Sequence, residues 1–421
     1  MIYDLIIIGA GAAGLFAAAN IPTSDESPTK TFDEPAGFKI AVLEKTDKPG
    51  QKLLLTGNGQ CNLTNTTPIA DFLNHYGKNG KYLRPILFPF SNLALTDFFK
   101  NNNTELTIRD DDKVFPASMK SSDILTLLIK MSVNRGVSFH YETQVVNIMQ
   151  TELNKPGYTL NTTKGQFKTK NVLIATGGAS FPKTGSDGGF FSCLHDLGLK
   201  LTPQRPALTS VFVKNYPYRE LSGLTLPDCD VTVVSKNEPK ISENIRAGLL
   251  FTHKCFSGPA ALTLSRYILP GDAFVINYLP GTTAGELRQK LIKTATGYSG
   301  RISTLIGTIT NLPRSLIEQI CIKAGVAKNE KASRLSGKMM GTISDCLTND
   351  IYEITSPGSY EAAMVTAGGV CLSEINLKTM ESKKFPGLYF AGEVLDVDGD
   401  TGGYNLQFAF SSAIRAIQAV C

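Results

Sequence analysis

The sequence predicts an α/β fold in which a parallel-sheet domain is interrupted by a β-rich insert and a helical insert. Three observations carry this. A β-branched run that ends in glycines opens the chain and leads into an alanine-rich helical stretch. Short β-branched pieces separated by turns follow Pro203, and near Tyr360 the texture of the opening residues returns. With 421 residues, 42% hydrophobic and 19% charged, the chain has room for two or three domains, and its composition excludes a disordered protein or a small disulfide scaffold.

The elements follow in order. Ile2–Ile8 is a buried-type strand, Gly9–Gly11 a tight turn, and Ala12–Asn20 a helix. Residues 21–38 are polar with three prolines and read as an exposed loop before a second strand at Lys39–Leu43. A Gly/Asn/Thr-rich stretch from Lys45 to Thr67 suits irregular backbone wrapped around a ligand. Helices are expected at about Ser91–Lys100 and Ser121–Arg135, the latter with Ile124, Leu127, Leu128 and Met131 on one face. Strands at Val137–Tyr141, Val145–Met149, Tyr158–Thr162 and Phe167–Ile174 read as a meander. The expected boundaries are 1–203 and 358–421 for the parallel-sheet domain, 204–283 with 341–357 for the β-rich insert, and 284–340 for the helical insert. A strand at Gly387–Ala391 and a final helix, with Leu406, Phe410, Ala413, Ile414 and Ile417 on one face, end the chain.

Gly9, Gly11 and Gly14 form a GxGxxG between a strand and a helix. The first glycine permits the turn, the second lets backbone approach a pyrophosphate, and the third lets the helix pack on the strand. The helix start, with Ala12 and Ala13, offers free N–H groups to phosphates. Glu44 ends the second strand, where an acid can bind a ribose diol and would repel a 2′-phosphate. NAD and FAD both satisfy this pattern. A second strand with small residues behind it, ending in Thr176, Gly177 and Gly178, and the absence of a second GxGxxG favour FAD. Gly392 and Glu393 end a later strand, where an acid can meet the ribityl chain. Gly402 and Gly403 open a helix whose dipole favours negative charge on a flavin.

On these and further motifs the chain resembles the HI0933-like (YhiN/BaiN-type) FAD-dependent oxidoreductases, a family that includes enzymes described as aminoacetone oxidases and enone reductases. The resemblance is carried by IIIGAGAAG, TGNGQCNLTN, IATGGASFPKTGSDG, GLLFTHKCFSGPAALTLSR, VTAGGV, TMESKKFPGLYFAGEVLDVDGDTGGYN and QFAFSSA, in that order. It implies a Rossmann-like, two-dinucleotide-type FAD domain interrupted by a β-barrel-like domain and a small helical domain, with non-covalent FAD at their junction. Carried over, Gly9, Gly11, Gly14, Glu44 and Lys45 look like pyrophosphate and adenosine contacts, and Gly57, Asn58, Cys61 and Asn62 like the isoalloxazine lining. Thr176 and Gly177 would touch the adenine side, and Gly392, Glu393, Gly403, Tyr404 and Asn405 the ribityl chain and pyrimidine edge.

Cys61 beside a flavin suggests disulfide chemistry, but a CxxxxC partner is missing, so a packing role competes with it. His253 is a candidate proton donor, or a turn residue. Asp396, Asp398 and Asp400 read as a solvated acidic loop, since the distal glutamate of a calcium loop is missing. Eight separated cysteines and four scattered histidines indicate reduced thiols and no metal site, and the N-terminus shows neither a secretion signal nor a membrane span. The expectation is a cytoplasmic FAD-dependent oxidoreductase, with NAD(P)H or an oxidisable small substrate as reductant. The net charge of +5 is uneven: residues 286–338 carry ten basic and three acidic side chains, or +7, which leaves −2 elsewhere. That basic insert opens a second reading, a reductase acting on a uracil ring in ribosomal RNA. A flavin-binding redox sensor without enzymatic activity is a third.

Overall fold

The computed structural model describes residues 2–22, 38–237 and 242–421. Most of the expected loop at 21–38 therefore lies outside the described residues. Two compact units emerge, Met1–Arg205 with Ala363–Cys421, and Pro206–Ala362.

The first unit is built on one sheet. Strand β1 (Ile2–Ile8) turns into helix α1 (Ala12–Ala19), which returns to strand β2 (Ile40–Leu43). Both strands are apolar on both faces because the sheet is covered on both sides, with Leu5, Ile6, Ile7, Ala41 and Val42 fully buried. Parallel pairing aligns Ile8 with Leu43 and with Ile174, Ile174 with Phe390, and Leu43 with His140. The four segments that begin at Gly9, Glu44, Ala175 and Ala391 therefore leave the sheet side by side, at its carboxyl edge. That edge is where open α/β sheets bind ligands.

The expected four-strand meander is corrected. Ser138–His140 joins the main sheet parallel to β2, and only Val145–Gln150, Tyr158–Thr162 and Gly165–Ile174 pair antiparallel in sequence. The helix Ser121–Asn134 buries Ile124, Leu128 and Ser132, so its inner stripe runs at i, i+4, i+8, with Leu127 and Met131 only half-buried beside it. The last helix, Tyr404–Val420, is buried nearly all round up to Ile417, with Leu406 half-buried. It meets α1 through Phe16 and Phe410, whose rings lie 4.5 Å apart within a cluster that includes Phe90, Phe98 and Phe99.

The second unit contains a closed six-stranded barrel. Around it run Val211–Val213, Phe256–Ser257, Ser242–Phe251, Thr225–Val234, Ala273–Asn277 and Asp350–Pro357. Period-two burial is clear along Thr225–Val234, where Leu226, Cys229, Val231 and Val233 point inward. A register shift between Leu226 and Cys229 bends this strand. Between the fifth and sixth strands lie helices Ala284–Ala295, Ile302–Thr310, Arg314–Lys323 and Gly337–Thr348. The first opens with a capping box of Thr283 and Glu286. The fourth runs past the expected limit at 340, and the barrel resumes at Asp350.

Asp350 fastens this unit. Its Oδ2 accepts from the hydroxyls of Tyr218 (2.5 Å), Tyr278 (2.7 Å) and Tyr352 (2.8 Å), while Lys323 from the helix Arg314–Lys323 pairs with Oδ1. Burial pushes all three phenols well above their ordinary range, so they act as neutral donors. The knot joins a helix to the barrel through one carboxylate.

Candidate functional site

The candidate site grows from the four segments at the sheet's carboxyl edge. Gly9 N donates to Leu43 O (2.8 Å), Ala175 N to Ile8 O (2.9 Å) and Ala391 N to Ile174 O (3.0 Å), which pins each segment at its start. Gly9 sits at φ +100°, and a Cβ there would lie 2.6 Å from Ala175 O. A Cβ on Gly14 would lie 2.0 Å from Gly9 O, so turn and helix are in backbone contact. Gly11 differs: its side-chain direction meets nothing within 4 Å. No side chain caps α1, whose first residues Ala12 and Ala13 follow Gly11 directly.

Glu44 is buried and folded back on this turn. Its Oε2 accepts from Ala10 N (2.7 Å), and its Oε1 from the backbone and hydroxyl of Thr46 (2.9 and 2.8 Å). Two donors on one oxygen and one on the other leave one lone-pair site, on Oε2, for a ligand's hydroxyl. Lys45 pairs with Asp187 at 2.7 Å. Against the opposing pull of burial, that ammonium and the Gly189 N–H hold the Asp187 carboxyl below its ordinary value. The turn at 184–188 is thereby brought beside Glu44, and a Cβ on Gly185 would lie 2.9 Å from Thr46 Cγ2. A Cβ on Gly177 would lie 3.1 Å from Ser186 Oγ. The hydroxyls of Thr176 and Ser186 are buried and have no hydrogen-bond partner among the described residues.

The remaining predicted residues form a second group. Gly57, Asn58 and Cys61 all take left-handed backbone conformations and turn the chain sharply after helix α2 (Gln51–Leu55). The Asn62 amide bridges this turn to the last helix, its nitrogen donating to Thr64 O and its oxygen accepting from Gly403 N, both at 3.0 Å. Gly403, at φ +95°, lies so close to Thr64 that a Cβ would come within 2.6 Å of its backbone. The Asn405 side chain is spent within the chain, accepting from Gly399 N (2.8 Å) and donating to Gly399 O (2.9 Å). Tyr404 is buried, stacks on His75 with ring centroids 4.0 Å apart, and its carbonyl accepts from Tyr76 OH (2.8 Å).

Gly392 links the two groups: a Cβ on it would lie 2.9 Å from Ala13 Cβ and 3.8 Å from Ala409 Cβ. The neighbouring Glu393 is engaged with Lys52, Ser180 and Thr366. Asp396 and Asp400 correct the expectation of a solvated acidic loop. Both are half-buried, Asp396 accepting from Thr202 Oγ1 (2.8 Å) and Asp400 facing His75 Nδ1 (3.0 Å).

Sequence reasoning missed Lys52, Ser180, Ser186, Thr366 and His75. Ser186 was within reach, because TGSDG places a hydroxyl between two glycines; the others become neighbours of the site only through the fold. His253 lies exposed in the second unit, on a turn where Thr252 Oγ1 accepts from Cys255 N (3.1 Å). Cys61 is fully buried, and burial pushes its thiol up to about 12. That favours packing over redox chemistry. At pH 8 roughly one Cys61 in ten thousand would be thiolate, so a thiol-alkylating reagent should label the exposed Cys421 in the folded protein and leave Cys61 intact until denaturant is added. Peptide mapping that found Cys61 labelled as fast as Cys421 would contradict this placement.

The residues fit a dinucleotide. Among the described residues the helix start has no side-chain cap, the approach at Gly11 is open, and the Thr176 and Ser186 hydroxyls have no hydrogen-bond partner. Among the described residues, no cluster of three or more histidine, cysteine or acidic side chains could hold a metal, and no helix is long and apolar enough to cross a membrane.

Comparison with known proteins gives the family. The model described as HI0933-like protein Rossmann domain matches residues 3–419. The chain belongs to the HI0933-like family. It is 30% identical over 423 residues to a ribosomal RNA dihydrouridine synthase of Escherichia coli, covering 99% of this chain and 97% of that one. It is 28% identical over 422 residues to a 3-dehydro-bile acid Δ(4,6)-reductase of Clostridium scindens, with 98% of each covered. Among solved structures, a 3-ketosteroid-Δ4-(5α)-dehydrogenase of Rhodococcus jostii RHA1 matches at 14% identity with a TM-score of 0.49, covering 99% of this chain and 96% of that one.

Proposed function

We propose that the chain is an FAD-dependent reductase of an electron-poor carbon–carbon double bond, with NAD(P)H as transient reductant. The observation that carries the FAD site is the pair of buried hydroxyls without partners among the described residues, Thr176 and Ser186, on the segment that follows Ile174, together with Glu44 at the end of β2 and the open face of Gly11. In this reading the amides at the start of α1 take the pyrophosphate, and Glu44 with Thr176 and Ser186 takes the adenosine ribose. The segments at 57–62 and 403–405 line the flavin ring, and Gly392 and Glu393 the ribityl chain. Bound there, FAD would accept a hydride from NAD(P)H and pass it to the substrate. The double-bond class is supported by the relatives' names, since a dihydrouridine synthase and a Δ(4,6)-reductase both saturate such a bond.

Anaerobic titration tests this. NADH or NADPH should bleach the oxidised flavin spectrum, and an α,β-unsaturated ketone or a uracil-containing RNA should restore it. Neither cofactor bleaching the flavin would remove the reductase reading and leave the redox sensor.

A specific observation favours RNA as the substrate carrier. All ten basic residues in 286–338 are exposed, with the Lys323 side chain part-buried against Asp350. Four of them have partners within the unit: Lys323 holds Asp350, Arg314 and Lys328 share Glu318, and Lys290 donates to Ile309 O (3.2 Å). The surface to test is Arg288, Lys293, Lys331, Arg334 and Lys338, five of the six basic residues that remain. Ribosomal RNA retention should weaken with salt and fall further when these five are neutralised together. Retention indifferent to both would leave a small-molecule substrate.

A further inference from the structure

Helix α2 hangs from the glycine turn, because Gly50 N donates to Ala10 O at 2.8 Å. Lys52, in its first turn, reaches across to the other two segments at the sheet edge. Its ammonium donates to Ser180 Oγ (2.7 Å) and Glu393 Oε2 (2.6 Å), and Glu393 Oε1 accepts from Ser180 Oγ (3.0 Å) and Thr366 N (2.7 Å). Ser180 and Thr366 are fully buried, while the Lys52 and Glu393 side chains are 22% and 21% exposed. Gly392, next to Glu393, touches the first turn of α1 at Ala13. The ion pair thus ties together the stretches after β2, Ile174 and Phe390, and the Gly50–Ala10 backbone bond attaches the stretch after β1; the FAD reading assigns all four to the cofactor.

We propose that Lys52 and Glu393 form a charge-balanced pair that sets the electrostatic field at the bound flavin, so that each residue tunes its reduction potential in the opposite sense. The proposal rests on the FAD reading of the site. The pair is part-buried, so the loss of one partner leaves a unit charge that solvent screens only in part. Reduction adds negative charge to a flavin. A lone carboxylate opposes that addition and a lone ammonium favours it. Lys52 is a positioning residue here: it acts through Glu393 and through the field, and no contact with a reacting atom is claimed for it.

The test is the flavin midpoint potential of the FAD-loaded protein, by dye-coupled reduction at pH 8. Lys52→Met should move it negative, Glu393→Gln positive, and the double variant back toward wild type, while Lys52→Arg should leave it near wild type. Opposite signs are the signature, because loss of packing alone would move both single variants the same way. Equal shifts, or none, in variants that retain flavin would overturn the proposal. If Lys52→Met does not fold, a positive shift in Glu393→Gln with Lys52→Arg near wild type supports the proposal, and a negative or absent shift in Glu393→Gln overturns it. A wild-type protein that binds no flavin would overturn the underlying reading, and the proposal with it.

Discussion

Gly11→Ala should leave the protein as stable as wild type, within about 0.5 kcal/mol, while weakening FAD binding roughly tenfold or more. Gly14→Ala should instead damage the fold itself. The two glycines belong to one motif but fail for different reasons. A methyl group on Gly11 meets nothing within 4 Å and the backbone there is extended, so only an incoming pyrophosphate would collide with it. A methyl group on Gly14 would lie 2.0 Å from Gly9 O, and relief requires α1 to move off β1. Overpacking of that kind costs about 1–3 kcal/mol or more. Thermal unfolding together with FAD titration of both variants separates the effects. Gly11→Ala binding FAD as tightly as wild type would remove the pyrophosphate from this turn.

Asp350→Ala should cost about 3–5 kcal/mol in the barrel unit, the largest loss expected from one substitution there. Three phenolic hydroxyls would lose their common acceptor in a place that water does not reach, and Lys323 would lose its counterion. Asp350→Asn should cost less, since its amide oxygen still accepts a hydrogen bond. The chain has no tryptophan, and Tyr218, Tyr278 and Tyr352 all sit at the knot, so near-ultraviolet circular dichroism would report its loss. Urea unfolding of Asp350→Ala within about 0.5 kcal/mol of wild type would show that the phenols find other partners. The parallel-sheet unit should keep its own transition, because none of the knot residues belongs to it.

What could be read from the sequence was local. The GAGAAG turn declares itself because its glycines answer to contacts a few residues away, and the apolar strands because burial on both faces leaves no polar alternation. The alignment of Ile8, Leu43, Ile174 and Phe390 was not legible, since register is set by pairing between strands more than 30 residues apart. The pairing of Ser138–His140 with β2 escaped for the same reason: a short run next to other short runs reads as one more hairpin. Lys52 and Glu393 are separated by 341 positions, and Tyr218 and Asp350 by 132. An isolated lysine near a glycine-rich stretch carries no mark of the carboxylate it will meet. The acidic residues near 400 misled in the opposite direction, since charge density suggested solvent where Thr202 and His75 supply partners.

The proposed site would hold FAD non-covalently at the carboxyl edge of the sheet, with its adenosine ribose between Glu44, Thr176 and Ser186. The direct measurement is the flavin content of the purified chain after incubation with excess FAD and removal of unbound cofactor. Wild type should retain one equivalent and release it intact on denaturation, and Thr176→Val combined with Ser186→Ala should retain much less while remaining folded. Wild type that retains no flavin, or a double variant that binds FAD as tightly as wild type, would contradict the account.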